Sequence, residues 1–154
     1  MPMWHIYSPE GAYDAADKAK LSSAITDVYA DLAGLPRFYV VVLFEERPPG
    51  SLWVGGEPAD NFVRIVVDHI ARQLETPALR DMAMEMFEAT LEPFTKDRGY
   101  DWEIHVDETP VDLWRTQGFV PPPAESAEEK KWAEDNKASP WQDEHASVWT
   151  DQFA

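Results

Sequence analysis

Two stretches of this chain follow the same plan of strand, amphipathic helix and strand, and that repetition limits the fold more than any other feature. In the first, Met3–Tyr7 reads as a strand and Asp14 as a helix N-cap, with Asp17 in the first turn. Leu21, Ala24, Ile25, Val28, Tyr29 and Leu32 then recur at helical spacing until Gly34 and Pro36 end the helix. Phe38–Phe44 follows as an unbroken apolar run, the pattern of a central buried strand. After a long link with a short strand or hairpin at Leu52–Val54, the plan recurs. Phe62–Asp68 is a strand, and Thr76 and Pro77 fit N-cap and N1 of a helix. Leu79, Met82, Ala83, Met86, Phe87 and Leu91 form that helix's apolar face, and Trp102–Val106 is the fourth strand.

Each crossover is long enough to join parallel strands, so the expected fold is α/β (α+β): duplicated β-α-β units forming a four-stranded, mostly parallel sheet with two helices on one face. The opposite sheet face has no cover within one chain, which predicts an oligomer. The domain occupies residues 1–123. An acidic, aromatic-containing extension, 124–154, follows the Pro121–Pro123 spacer and is expected to pack on its own or a neighbouring subunit. Ser126 and Glu129 fit a capping box opening a short helix there.

The formal net charge of −16 argues against nucleic acid, whose binding requires basic side chains to neutralise phosphates. With no cysteine there is no thiolate nucleophile or disulfide framework. No apolar run reaches transmembrane length and no signal-peptide pattern opens the chain, so the expected location is cytoplasmic, without membrane contact. His5, His69, His105 and His145 lack metal-ligand spacing, and no metal or cofactor is expected. An anionic small molecule would need one of the seven arginines.

Pro2 stands directly behind Met1, at the start of the first strand. A proline is tolerated there because no ladder bond is needed. If Met1 is removed, Pro2 instead becomes a secondary amine anchored at the edge of the core.

PMWHIY at the start, AITDVYADLAGLP in the first helix, FYVVVLFEERPPGSLWVGGE, FVRIVVDHIAR and DETPVDLWRTQGFVPPP together resemble the tautomerase superfamily, in its cis-3-chloroacrylic acid dehalogenase-like branch and the related fungal sequences. The resemblance covers positions 2 to about 123 and implies a homotrimer with cofactor-free chemistry by an N-terminal proline. Residue by residue, it makes Pro2 the general base and acid and Arg72 the group that binds a carboxylate. The helix histidine of the branch falls at Tyr29, its second arginine at Glu75, its strand-four tyrosine at His105, and its glutamate near Thr116, beside Gln117.

The carboxylate and tyrosine that activate water in that branch are thus replaced, which favours proton shuttling over hydration. Pro2, Arg72, Tyr29 and His105 are the expected catalytic residues, and Arg115, Trp114, Gln117 and His69 the expected substrate contacts. The expected reaction is keto–enol tautomerisation of a small 2-keto or 2-hydroxy-2-enoic acid. Two alternatives stand beside it: a hydratase or dehalogenase of 3-substituted acrylates, and a non-catalytic trimeric binding protein that retains Met1.

Overall fold

The computed structural model describes residues 1–141; the rest of the extension, including the aromatic residues Trp149 and Phe153, lies outside the described residues. The four long strands are β1 (Pro2–Pro9), β2 (Val41–Arg47), β5 (Phe62–His69) and β6 (Asp101–Glu108). They form one sheet in the order β2-β1-β5-β6. The pairs β1–β2 and β5–β6 are parallel, each closing a β-α-β unit, and the two units meet through antiparallel pairing of β1 with β5. A small hairpin, β3 (Trp53–Val54) and β4 (Glu57–Pro58), fills the link at the predicted place.

Both helices open on the predicted caps. Helix α1 (Ala15–Asp27) begins with a full capping box between Asp14 and Asp17. Helix α2 (Pro77–Leu91) begins with Thr76 accepting from the Leu79 amide and Pro77 in the first turn. The end of α1 widens into a π-helical turn, Val28–Leu32, a form found mostly as single turns and frequently at functional sites.

Alternation along the strands sorts side chains onto two faces. Trp4, Ile6, Val63, Ile65 and Val67 point to the helices and pack with Leu21, Ile25, Tyr29, Ala83, Phe87 and Leu91. The other face has no layer over it. It carries Val41 and Leu43, about two-fifths exposed, together with a charged network. His5 contacts Asp68 at 3.1 Å, Arg64 contacts Glu103 at 2.9 Å and His105, and His105 contacts Asp107 at 3.1 Å.

The Phe38–Phe44 run differs from its expected form in two ways. Arg37–Tyr39 is a 3₁₀ turn after Pro36, and the strand starts only at Val41. Tyr39 thereby turns inward, 1% exposed, with its ring edge-on to Trp114 at 4.7 Å. The strand is also an edge strand rather than a central one. It is apolar on both sides because Val42 and Phe44 pack against the core while Val41 and Leu43 lie on the uncovered face.

The extension forms helix α3 (Ala127–Asp135), which seats Trp132 at 1% exposure among Phe38, Tyr39 and Phe119 of the same chain. Trp141 donates from its indole to the Val120 carbonyl at 2.8 Å. Among the described residues no helix is long and apolar enough to cross a membrane.

Candidate active site

The antiparallel register of β1 and β5 sets Pro2 opposite His69, both buried and both on the helix-facing side of the sheet. His69 is 3% exposed, with Nδ1 3.6 Å from Glu108 Oε2 and its ring 5.7 Å from that of Tyr29. Burial lowers the His69 pKa; the Glu108 carboxylate opposes that shift and the N-terminal amine adds to it. Its imidazole is therefore held toward the neutral form.

Tyr29 sits in the π-turn, and its hydroxyl accepts from Trp4 Nε1 at 3.2 Å. Burial keeps its phenol above the ordinary value, so the hydroxyl stays protonated and available as a donor.

Arg72, in the loop after β5, has all four Nη protons engaged. It makes a two-pronged contact with Glu129 of α3, at 3.1 and 2.8 Å, and donates to the carbonyls of Ala71 and Ala33 at 3.2 and 3.3 Å. Glu129 is 3% exposed and also accepts from the Glu125 amide at 2.7 Å. Half of the expected capping box therefore forms. Ser126 Oγ accepts from the Glu129 amide, but the Glu129 carboxylate serves Glu125 and Arg72 rather than the Ser126 amide.

The N-terminal amine lies within electrostatic reach of these groups. Burial, and next the Arg72 guanidinium, lower the Met1 amine from 8.0 to about 4, with Glu129 opposing. The Met1 amine is therefore a free base at neutral pH.

Tyr29, His69, Arg72 and Glu129 line a cavity of about 920 Å³ whose other walls come from the π-turn and α2. Pro2 is buried and is not among the lining residues. Among the described residues no group of three or more His, Cys, Asp or Glu side chains is arranged to hold a metal ion.

The structure thus brings together Arg72, Tyr29 and His69 and sets Pro2 beside His69. The other four expected residues lie elsewhere in the chain. His105 is on the uncovered sheet face, because it alternates with Ile104 and Val106, which pack on the helix side. Trp114 is buried against Tyr39, away from the cavity. Arg115 donates to the carbonyls of Asp112 and Trp114, and Gln117 occupies an exposed turn at φ 50°. Sequence reasoning missed Glu129, whose only visible signal was its place three residues after Ser126.

A family model described as "putative oxalocrotonate tautomerase enzyme" matches residues 1–137. The chain belongs to this tautomerase family. Native RhCC from Rhodococcus jostii RHA1 is 57% identical, with a TM-score of 0.89 over 90% of this chain and 99% of that one. A probable enzyme from the thermophilic fungus Aspergillus fumigatus is 38% identical, with a TM-score of 0.86 over 92% and 98%. N1, a member of the cis-3-chloroacrylic acid dehalogenase family, is 20% identical with a TM-score of 0.68 over 87% and 97%, and so shares the tautomerase fold. No curated protein matches the sequence.

Proposed function

We propose that this tautomerase-family protein catalyses cofactor-free proton transfer between the enol and keto forms of a small carbonyl compound, with the amine of Pro2, freed by removal of Met1, as the proton carrier. The observation that supports it is the setting of the chain's start. Pro2 opens the first strand opposite His69, His69 and Tyr29 line a large cavity, and with Met1 in place burial and Arg72 already hold the chain's N-terminal amine unprotonated at neutral pH. A free-base amine can take the enol O–H proton, and the resulting ammonium returns a proton to the neighbouring carbon. C=C–OH becomes CH–C=O, with no net proton or electron change. Tyr29 would donate a hydrogen bond to the carbonyl oxygen, and His69 would position the first strand.

The same setting speaks against the hydratase and dehalogenase alternative, which needs a protonated amine and a free carboxylate to activate water. Glu129 is the buried carboxylate here and is committed to Arg72, while the other carboxylates lining the cavity, Asp31 and Glu125, are exposed to solvent. A 2-keto acid could use Arg72 only by displacing Glu129, so the small-acid substrate expected from the resemblance meets an occupied arginine.

On this reading the uncovered sheet face packs in a homotrimer, and the described part of the extension closes the site of its own subunit through Glu129. The proposal is tested by ketonisation of phenylenolpyruvate and its methyl ester, followed by ultraviolet absorbance, in the wild type and in Pro2→Ala. Undiminished ketonisation in Pro2→Ala would rule out the proline mechanism.

A further inference from the structure

The Arg72–Glu129 pair and the cavity beside it bear on which molecules the site admits. Arg72 offers no free pair of Nη protons, since each terminal nitrogen already serves one Glu129 oxygen and one backbone carbonyl. Glu129 is fixed in turn by the Glu125 amide and by burial. The remaining ionisable lining groups are Asp31, Glu125, the imidazole of His69, held toward neutrality, and Lys130, which is exposed on α3. A second carboxylate brought against Arg72 would face the buried Glu129 carboxylate, and the other cation lining the cavity, Lys130, is exposed on α3; like charges placed together around one buried guanidinium disfavour one another.

The walls carry the complementary message. Val28 and Leu32 from the π-turn face Leu79, Met82, Met86 and Phe87 from α2 across the cavity. Leu32 is 67% exposed and Met82 51%, so apolar side chains also form the lip. The volume of about 920 Å³ falls near the top of the ~300–1,000 Å³ typical of sites for drug-sized ligands. A three- to five-carbon acid would leave most of this apolar surface against water.

Resting on the tautomerase reading, we propose that the substrate is an uncharged, enolisable carbonyl compound with a bulky aryl or alkyl tail, and that Glu129 sets this specificity by taking the place a substrate carboxylate would occupy on Arg72. The tail lies against Leu32, Leu79, Met82 and Met86, while the reacting carbonyl reaches Tyr29 and the amine. Glu129 is a specificity-determining residue that acts through Arg72, without contact with the reacting atoms.

Binding separates this proposal from the catalytic reading beneath it. Methyl 3-phenylpropionate and 3-phenylpropionate share a tail and differ in charge, and neither needs turnover. Calorimetric titration of the full chain should show the ester binding about tenfold or more tightly than the acid. Glu129→Gln keeps the side-chain shape but removes the negative charge opposite Arg72, so the ratio should narrow or invert.

Equal or tighter binding of the acid by the wild type overturns the proposal, as does failure of both probes to bind. An unchanged ratio in a folded Glu129→Gln protein, judged by its circular dichroism, overturns the role of Glu129. If that variant does not fold, the wild-type ratio still decides the substrate class. Preference for the ester with no ketonisation of methyl phenylenolpyruvate upholds the specificity and removes the tautomerase reading. Ketonisation with preference for the acid does the reverse.

Discussion

Arg72 and Glu129 stand 57 residues apart in the chain and meet through two hydrogen bonds of 3.1 and 2.8 Å. One lies in the loop that leaves the central strand β5, the other on the helix of the C-terminal extension. The pair ties that extension to the loop after β5 and, through the Ala33 carbonyl, to the turn that follows α1, and it is nearly closed to solvent on the Glu129 side.

Removing one partner of a buried pair strands the other. Arg72→Ala should therefore destabilise the fold by about 3–5 kcal/mol, because Glu129 loses its counter-ion. Replacing both residues by methionine should cost much less than Arg72→Ala alone. Urea unfolding of the single and double variants measures this, and equal losses in both would show that the charge pair is not the source of the effect.

Truncation after Pro123 should expose Phe38 and Tyr39, which Trp132 now contacts, and leave Arg72 without Glu129. Loss of a fully buried tryptophan contact alone is worth roughly 3–5 kcal/mol. The shortened chain should melt well below the full chain in calorimetry. An unchanged melting temperature would mean that the extension contributes nothing to its own subunit.

Tyr29→Phe removes the acceptor of the Trp4 indole N–H, a donor on a side chain only 1% exposed. An unsatisfied buried donor costs about 1–3 kcal/mol. The variant should lose that much in urea unfolding. If Tyr29 also donates to the substrate oxygen, kcat for ketonisation should fall while the chain remains folded.

In protein that keeps Met1, the Met1 amine should titrate near 4 rather than near 8, as followed by nitrogen-15 chemical shift. The sign for stability follows. Between these two pH values the unfolded chain binds a proton that the folded chain does not. This group therefore lowers stability as pH falls from 8 toward 4, by at most ~1.4 kcal/mol per pH unit. For the amine of Pro2 in the same surroundings, ketonisation should stay level from pH 8 to 6 and fall only on the acid side. A rate that rises steadily with acidity across neutral pH would indicate a proton donor instead.

Leu43 lies two-fifths exposed on the sheet face that has no layer over it. Burial of that face in a trimer makes Leu43→Glu disruptive there and harmless in a monomer. Light scattering should give a trimer for the wild type and smaller species for the variant. A monomeric wild type would remove the trimer from the account.

Much of this architecture was legible locally. Helical spacing and the caps Asp14, Thr76 and Ser126 located all three helices, and period-two alternation already placed His105 on the side away from Ile104 and Val106. What escaped was non-local. Phe38–Phe44 looks like a buried strand because both of its sides are apolar, and only the pairing order shows that one of those sides is an uncovered face. Arg72 was expected to bind a substrate carboxylate. Its partner is Glu129, whose spacing from Ser126 matches a capping box and so conceals a tertiary role. Trp114 and Arg115 follow β6 in sequence, but the chain turns them toward Tyr39 and local carbonyls rather than the cavity.

The central claim is that the reacting group is the amine of Pro2. The most direct measurement is the intact mass of the purified fraction that ketonises methyl phenylenolpyruvate. The account predicts a mass one methionine short of the encoded chain. An active fraction that still carries Met1 would contradict it, because Pro2 would then be a tertiary amide with no basic nitrogen.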